Sequence, residues 1–161
     1  MRAELWTETA EDTRAVGEAV AELLRAGDAV ALTGELGAGK TTFVQGAARA
    51  LGFEGHVVSP TFTLVREYEG RLRIFHVDVY RLERIQEVLD LGLDEMTPEG
   101  VLFVEWGDAV GGLLPDDHLT VELTVPGSED ERKLVLTGEG PSWGARWEEL
   151  RRLTERWERA A

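Results

Sequence analysis

Apolar residues recur along this chain at helical spacing in some segments and as short runs in others, and the two patterns predict different elements. Residues 15–24 carry apolar side chains at helical spacing and predict an amphipathic helix that Gly27 ends. Thr9, with Asp12 three positions later, is typical of a capping box at the start of that helix. A second helix is predicted over residues 40–51.

Short apolar segments bounded by turn residues predict the strands. Three single strands are expected, at residues 4–7, 28–33 and 101–104. The last of these is an uninterrupted apolar run, which indicates a strand that is buried on both faces. Two hairpins are expected, one from residues 61–69 and 71–80 and one from residues 118–125 and 132–136.

Two more helices complete the predicted order. Residues 83–91 predict a short helix, and residues 143–159 predict a closing amphipathic helix. The closing helix has an apolar stripe that is expected to pack in the core, formed by Trp143, Trp147, Leu150, Leu153 and Trp157. Helices lie between some strands while other strands form hairpins, so the expected fold class is a three-layer α/β domain with a mixed parallel and antiparallel sheet. We expect a single domain over residues 1–161.

Composition and charge exclude several classes of function. The chain has 17 basic and 31 acidic residues and a formal net charge of −14, which disfavours direct binding to nucleic acid. It has no cysteine, which excludes thiolate catalysis and cysteine metal sites, and its three histidines lie too far apart for a zinc site. The chain has no run of about 18 apolar residues, so no membrane span is predicted. The N-terminus has no apolar signal region, so a cytoplasmic protein is expected.

The segment from residue 34 to residue 41 carries the clearest chemistry. Gly34, Gly39, Lys40 and Thr41 match the P-loop pattern, with a predicted strand before it and a predicted helix after it. Glycines let successive N–H groups point at phosphate oxygens, Lys40 would reach the β- and γ-phosphates, and the Thr41 hydroxyl would ligate Mg²⁺. The sequence therefore predicts a site for ATP and Mg²⁺. Its binding residues are Glu35, Leu36, Gly37, Ala38, Gly39, Lys40, Thr41 and Thr42.

A P-loop enzyme needs a carboxylate at the end of a neighbouring strand, and two predicted strands end in one. Glu105 follows the more apolar run and is predicted to coordinate Mg²⁺ through water, beside Thr41, and to orient the attacking water. Asp78 is predicted to be a second metal-shell or catalytic acid. The other interpretation of either residue is that it only caps the end of its strand.

Three further residues have two interpretations each. Thr61, after Ser59 and Pro60, would sense the γ-phosphate or would cap the start of a strand. Trp106 would stack at the mouth of the site or would pack in the interior. His76 is expected to be an ordinary strand residue rather than a catalytic base.

Four linked motifs together resemble the TsaE (YjeE) family of bacterial P-loop ATPases. They are the phosphate loop with Thr42 and Phe43, the segment 59–65, the segment 76–82 with Asp78, and the segment 104–106 with Glu105. Residues 92–95 also fit the pattern of that family. Family members often follow the Glu-Trp pair with Pro-Glu, whereas this chain has Gly107 and Asp108.

The resemblance implies a P-loop NTPase fold and an ATPase that supports the t6A modification of tRNA. It implies TsaD and TsaB as partner proteins. We expect slow hydrolysis by the chain alone and stimulation by those partners. The tRNA would be bound through the partners. The resemblance also implies that Lys40, Asp78 and Glu105 are the functionally important side chains.

Two other functions use the same loop. A small-molecule kinase needs arginines that clamp the transferred phosphate, and Arg66, Arg71 and Arg73 are the candidates. A non-catalytic binding module would use ATP only to set the shape of a partner surface. Arg132, in an acidic turn, would contact the nucleotide or lie on the surface.

Overall fold

The computed structural model describes residues 1–35, 37–57, 65–79, 92, 97–106 and 114–159. The strands in these residues are β1 (Arg2–Thr7), β2 (Ala29–Gly34), β3 (Val65–Glu69), β4 (Arg73–Asp78), β5 (Gly100–Glu105), β6 (His118–Thr124) and β7 (Arg132–Glu139). The α-helices are α1 (Ala10–Ala21), α2 (Lys40–Ala50) and α3 (Pro141–Thr154). Short 3₁₀ turns occupy Thr97–Glu99 and Glu155–Trp157.

The described strands form one mixed sheet in the order β1-β7-β6-β2-β5-β4-β3. The central strands β6, β2, β5 and β4 are parallel to one another. The hairpins β3–β4 and β6–β7 are antiparallel, as is the pairing of β1 with β7. The predicted α/β fold with a mixed sheet is therefore confirmed. Because β2, β4 and β5 are parallel, their carboxyl ends lie at the same edge of the sheet.

Local signals set the starts of the helices. The Thr9 side chain caps α1 and accepts a hydrogen bond of 3.1 Å from the Asp12 backbone N–H, so the predicted start is confirmed. Helix α1 ends at Ala21, earlier than its apolar spacing suggested. Helix α3 begins at Pro141, and its last turn tightens into the 3₁₀ turn Glu155–Trp157. The predicted closing helix is thus confirmed with a different start and a tightened end.

The structure corrects the bounds of several predicted strands. Strand β4 is shorter than the predicted 71–80, because it pairs with β5 only from Arg73 to Asp78. Strand β7 continues past Leu136 to Glu139, because its register with β6 extends to the pair His118 and Glu139. Strand β3 starts at Val65, and residues 61–64 of the prediction lie outside the described residues. The predicted helix 83–91 also lies outside them.

Two apolar clusters cover the faces of the sheet. The larger one joins α1, α2 and α3 to the sheet, and the aromatic residues Phe43, Phe103 and Trp143 are fully buried in it. The smaller one, on the opposite face, includes Phe75, Leu102 and Val104. Strand β5 contributes to both clusters, which confirms that it is buried on both faces.

Four of the five residues of the predicted apolar stripe pack in the core, while Leu153 is half-buried and belongs to neither cluster. Trp143, Leu150 and Trp157 are buried, and Trp147 packs against the same cluster. None of the helices among the described residues is long and apolar enough to cross a membrane.

Candidate functional site

The phosphate loop joins the end of β2 to the start of α2, as predicted. Gly34, Gly37 and Gly39 have φ values of 137°, 83° and 104°, a conformation that other residues rarely adopt. A Cβ atom on Gly34 would also lie 2.4 Å from the Leu123 carbonyl oxygen of β6. Glycine at position 34 is therefore required by both backbone conformation and space. Leu36 lies outside the described residues.

Lys40 is buried inside its own loop, with 4% of the residue exposed. Its Nζ donates hydrogen bonds to the carbonyl oxygens of Gly34 at 2.7 Å and Glu35 at 2.9 Å. The same atom lies 3.8 Å from the centre of the Trp106 ring. Carbonyl dipoles and an aromatic face thus help to hold the lysine at the loop.

Trp106 lies at the mouth of the loop and also packs against the smaller apolar cluster, so it combines its two expected positions. Its φ is 64°, which makes it the single non-glycine residue with positive φ among the described residues. Its backbone N–H donates to the Leu32 carbonyl oxygen at 2.7 Å. The half-buried ring lines a cleft of about 500 Å³ together with Gly34, Glu35 and Ala38. Strained backbone of this kind is concentrated at functional sites, so the conformation supports a role for Trp106.

The two predicted acids end neighbouring parallel strands. Asp78 and Glu105 are partners in the register of β4 and β5, and they are 2% and 4% exposed. The Thr41 hydroxyl donates a hydrogen bond of 2.9 Å to Glu105 Oε2. The structure therefore brings Thr41 and Glu105 together and places Asp78 beside Glu105 in the sheet.

His76, which is expected to be an ordinary strand residue, contacts one of the predicted site acids. This residue is fully buried two positions before Asp78, and its Nε2 makes a short hydrogen bond to Glu105 Oε2. Because an ionised carboxylate only accepts, Nε2 carries the proton when Glu105 is ionised. The Tyr68 hydroxyl lies 3.5 Å from Nδ1, at the long limit of a hydrogen bond. A polar chain thus runs from Tyr68 through His76 and Glu105 to Thr41.

One signal in the sequence could have identified His76. Successive strand residues point to opposite faces, so His76 and Asp78 share a face of β4. A histidine two positions before a predicted site acid, within an otherwise apolar strand, is therefore expected to face the same site.

Arg132 contacts the phosphate loop from outside. Its guanidinium donates to the carbonyl oxygens of Ala38 at 2.9 Å and Gly37 at 3.3 Å. Arg132 is thus half-buried against the loop rather than on the open surface, and its contact with the nucleotide stays a prediction.

The remaining predicted residues divide into two groups. Glu35, Gly37, Ala38 and Gly39 form the described part of the loop, and Thr42 lies in the first turn of α2. Ser59, Pro60, Thr61, Gly107 and Asp108 lie outside the described residues, as do residues 93–95.

The donor set suits a magnesium ion that is shared with phosphate. Within the described residues, no three His, Cys, Asp or Glu side chains are grouped to hold a metal by themselves. The hydroxyl of Thr41 and the carboxylate of Glu105 supply two adjacent oxygens. Mg²⁺ prefers oxygen ligands and commonly binds through one or two protein groups together with substrate phosphates. These residues therefore fit Mg²⁺.

Comparison with known proteins agrees with this geometry. A family model described as "Threonylcarbamoyl adenosine biosynthesis protein TsaE" matches residues 7–134. A Bacillus subtilis protein named tRNA threonylcarbamoyladenosine biosynthesis protein TsaE is 42% identical over 144 residues, which are 88% of this chain and 89% of that protein. A Treponema pallidum protein of the same name is 44% identical over 118 residues, which are 73% of this chain and 87% of that protein.

A solved structure shows the same fold. The crystal structure of Bacillus subtilis YdiB matches with a TM-score of 0.82 and 36% sequence identity. The match covers 94% of this chain and 95% of that one. The residues matched by the family model include the phosphate loop and the strands that carry the two acids. The chain therefore belongs to the TsaE family.

Proposed function

We propose that this protein binds ATP with Mg²⁺, hydrolyses it, and thereby supports threonylcarbamoyladenosine (t6A) modification of tRNA. The observation that carries the proposal is the 2.9 Å contact between the Thr41 hydroxyl and the Glu105 carboxylate. It joins the phosphate loop to the end of a neighbouring strand, and P-loop NTPases bind Mg²⁺ beside the phosphates with such a pair. The pathway is inferred from the relatives, which are named for t6A biosynthesis.

The loop supplies the phosphate contacts. The N-terminal end of α2 and the N–H groups of the glycine-rich turn favour an anion there. Lys40 now donates to two backbone carbonyls, and a phosphate would compete for its ammonium because a charged acceptor forms the stronger hydrogen bond. Lys40 would then bind the β- and γ-phosphates.

The acids supply the metal site and the orientation of water. Thr41 and Glu105 would hold Mg²⁺, which when bound neutralises charge on the phosphates. Glu105 would also orient the attacking water, and its own orientation is fixed by His76. Asp78, beside Glu105 in the register, would be a second metal-shell or catalytic acid.

The partners follow from family membership alone. We propose that the protein acts with TsaD and TsaB, that tRNA is bound through them, and that all of this takes place in the cytoplasm. Hydrolysis by the chain alone would be slow.

A matched pair of lysine variants tests the nucleotide site, because Lys40 and Lys133 are the two lysines of the chain. Lys133 lies near Glu4, at 3.7 Å, and away from the loop. We expect Lys40→Ala to weaken binding of a fluorescent ATP analogue by about 100-fold, because a charge-assisted contact is lost. Lys133→Ala should bind as the wild type does. Equal affinity in the two variants would contradict the assignment of the loop.

Hydrolysis is tested by measuring phosphate release from ATP by the wild type and by a Glu105 variant. Glu105→Gln should bind the ATP analogue but release phosphate about 100-fold more slowly, since water is no longer oriented. EDTA should stop the reaction, and Mg²⁺ should restore it. Purified TsaD–TsaB should increase the rate. No phosphate release in any mixture would instead support a nucleotide-dependent binding module.

Phosphorylation of a metabolite would support the alternative function as a small-molecule kinase. Two of the three candidate arginines disfavour it, because Arg73 begins β4, at the opposite end from Asp78. Arg73 is paired with Glu69 and Glu99, while Arg71 donates to the Ala21 carbonyl oxygen. Arg66, the third, lies opposite His76 in the register of β3 and β4.

A further inference from the structure

A single arginine links the phosphate loop to the hairpin β6–β7. Arg132, the first residue of β7, donates through Nε to Ala38 O at 2.9 Å and through Nη2 to Gly37 O at 3.3 Å. Its Nη1 donates to Glu131 O at 2.8 Å and to Glu129 O in a shorter contact. Two carbonyls of the loop and two of the hairpin turn are thus bridged by one planar, permanently charged group.

The hairpin lies directly against the outer side of the loop. A Cβ atom on Gly39 would lie 3.5 Å from Leu123 Cδ2 and 3.6 Å from Arg132 Nε. The equivalent atom on Gly34 would lie 2.4 Å from the Leu123 carbonyl oxygen. The loop is therefore packed against β6 at both of its ends and against Arg132 of β7 at the Gly39 end.

The contact with Ala38 fixes the direction of an amide. The Ala38 carbonyl and the Gly39 N–H belong to one peptide plane, and in a trans peptide the two point in opposite directions. Arg132 holds the carbonyl on the outer side, so the Gly39 N–H is directed away from the hairpin. Such N–H groups are the ones that a P-loop offers to phosphate.

We propose that Arg132 is a positioning residue that holds the phosphate loop in its anion-binding conformation from the outside. The proposal rests on the proposed function, because it takes ATP as the ligand of the loop. Arg132 donates to four carbonyls, and a guanidinium has five N–H groups. Little donor capacity is therefore left for the nucleotide, and the effect of Arg132 is exerted through the loop.

The test compares Arg132→Gln and Arg132→Lys with Lys133→Gln. Lys133 is the adjacent residue, and its ammonium lies near Glu4 and the Trp6 ring of β1 rather than near the loop. The two Gln variants therefore remove one positive charge from neighbouring positions, and only one of them removes the bridge. Affinities for MgATP and for Mg-tripolyphosphate are measured by competition with a fluorescent ATP analogue.

We expect Arg132→Gln to weaken the binding of both ligands by the same factor, about tenfold, because the N–H groups that contact phosphate are less preorganised. Lys133→Gln should match the wild type. The affinities of Arg132→Lys should lie between those of the wild type and Arg132→Gln, because an ammonium lacks the planar guanidinium that spans four carbonyls. In the hydrolysis assay, the KM for ATP should rise with little change in kcat, as expected when ground and transition state lose the same contacts.

Hydrogen exchange of the nucleotide-free protein gives a readout that needs no activity. Peptides covering residues 34–41 should lose protection in Arg132→Gln and keep it in Lys133→Gln. If Arg132→Gln does not fold, Arg132→Lys provides the comparison.

Wild-type affinity for both ligands in the folded Arg132 variants would overturn the proposal. So would weaker binding of ATP alone, because it would mean that Arg132 contacts the nucleoside. A wild-type protein that binds neither ligand would refute the proposed function itself, which separates the two failures.

Discussion

At the scale of single residues, Glu105 is the point where the site is assembled. Its Oε2 accepts a hydrogen bond from Thr41 of α2 and contacts Nε2 of His76 on β4. A buried carboxylate needs such partners, because an ionised group without them is strongly destabilised by burial. Glu105 is therefore held in one orientation before any ligand binds.

The orientation of Glu105 predicts the effect of changing His76. We expect His76→Leu to lower kcat for ATP hydrolysis about 10- to 100-fold, as is typical when a group that orients a metal ligand is removed. His76→Gln keeps an N–H near the position of Nε2 and should recover part of the loss. Phosphate release at saturating MgATP measures both. Tyr68→Phe is the control, because the Tyr68 contact is long and its removal should have a smaller effect. A His76→Leu protein with wild-type kcat would contradict the role.

At the scale of elements, the position of α2 depends on close packing against α1. A Cβ atom on Gly46 would lie 1.9 Å from the Arg14 carbonyl oxygen, and one on Gly17 would lie 2.3 Å from the Phe43 carbonyl oxygen. The two backbones are thus in contact at two points. Because α2 begins with Lys40 and Thr41, this packing also helps to position the site.

This contact predicts opposite effects for two substitutions in helices. Gly46→Ala should lower the free energy of unfolding by about 1–3 kcal/mol, because the helices must separate to admit the methyl group. Gly144→Ala is the matched control in α3, where the nearest atom is Met1 Sδ at 3.7 Å. It should be neutral or stabilise by up to about 1 kcal/mol, since alanine favours helix more than glycine does. Urea unfolding measures both. Equal stability of the two variants would show that α1 and α2 are not in tight contact.

At the scale of the whole molecule, the charge distribution limits the partners. The net charge is −14, and the arginines of several described surfaces are paired with neighbouring acids. Hydrogen bonds from Arg49 and Arg152 lower the pKa of Glu11 and Glu149, so both pairs stay ionised at neutral pH. Paired arginines offer little free positive charge to a polyanion.

We therefore expect no tRNA binding by this chain alone. Nucleic-acid affinity comes mainly from neutralised phosphates, and an acidic surface repels them. A gel-shift titration of tRNA with the purified chain at about 0.15 M salt should show no complex at micromolar protein. The TsaD–TsaB complex, with and without this chain, is the comparison. A salt-sensitive complex of tRNA with the chain alone would contradict the prediction.

Local patterns determined much of this protein without the fold. The phosphate loop could be predicted because its glycines and Lys40 act within one short segment. The start of α1 could be predicted because Thr9 caps it locally. The two acids could be predicted because parallel strands end at one edge of the sheet. The single domain over residues 1–161 remains a prediction.

Only the tertiary structure decided the contacts between distant segments. His76 and Arg132 meet Glu105 and Ala38 across 29 and 94 positions of the chain. The periodicity of apolar residues does not indicate such contacts, because strand register and packing bring these residues together only in the folded sheet. The extension of β7 to Glu139 has the same cause, since pairing with β6 stabilises residues whose own pattern is weak. The sequence determined which reactive groups the site has, and the fold decided which other side chains contact those groups and orient them.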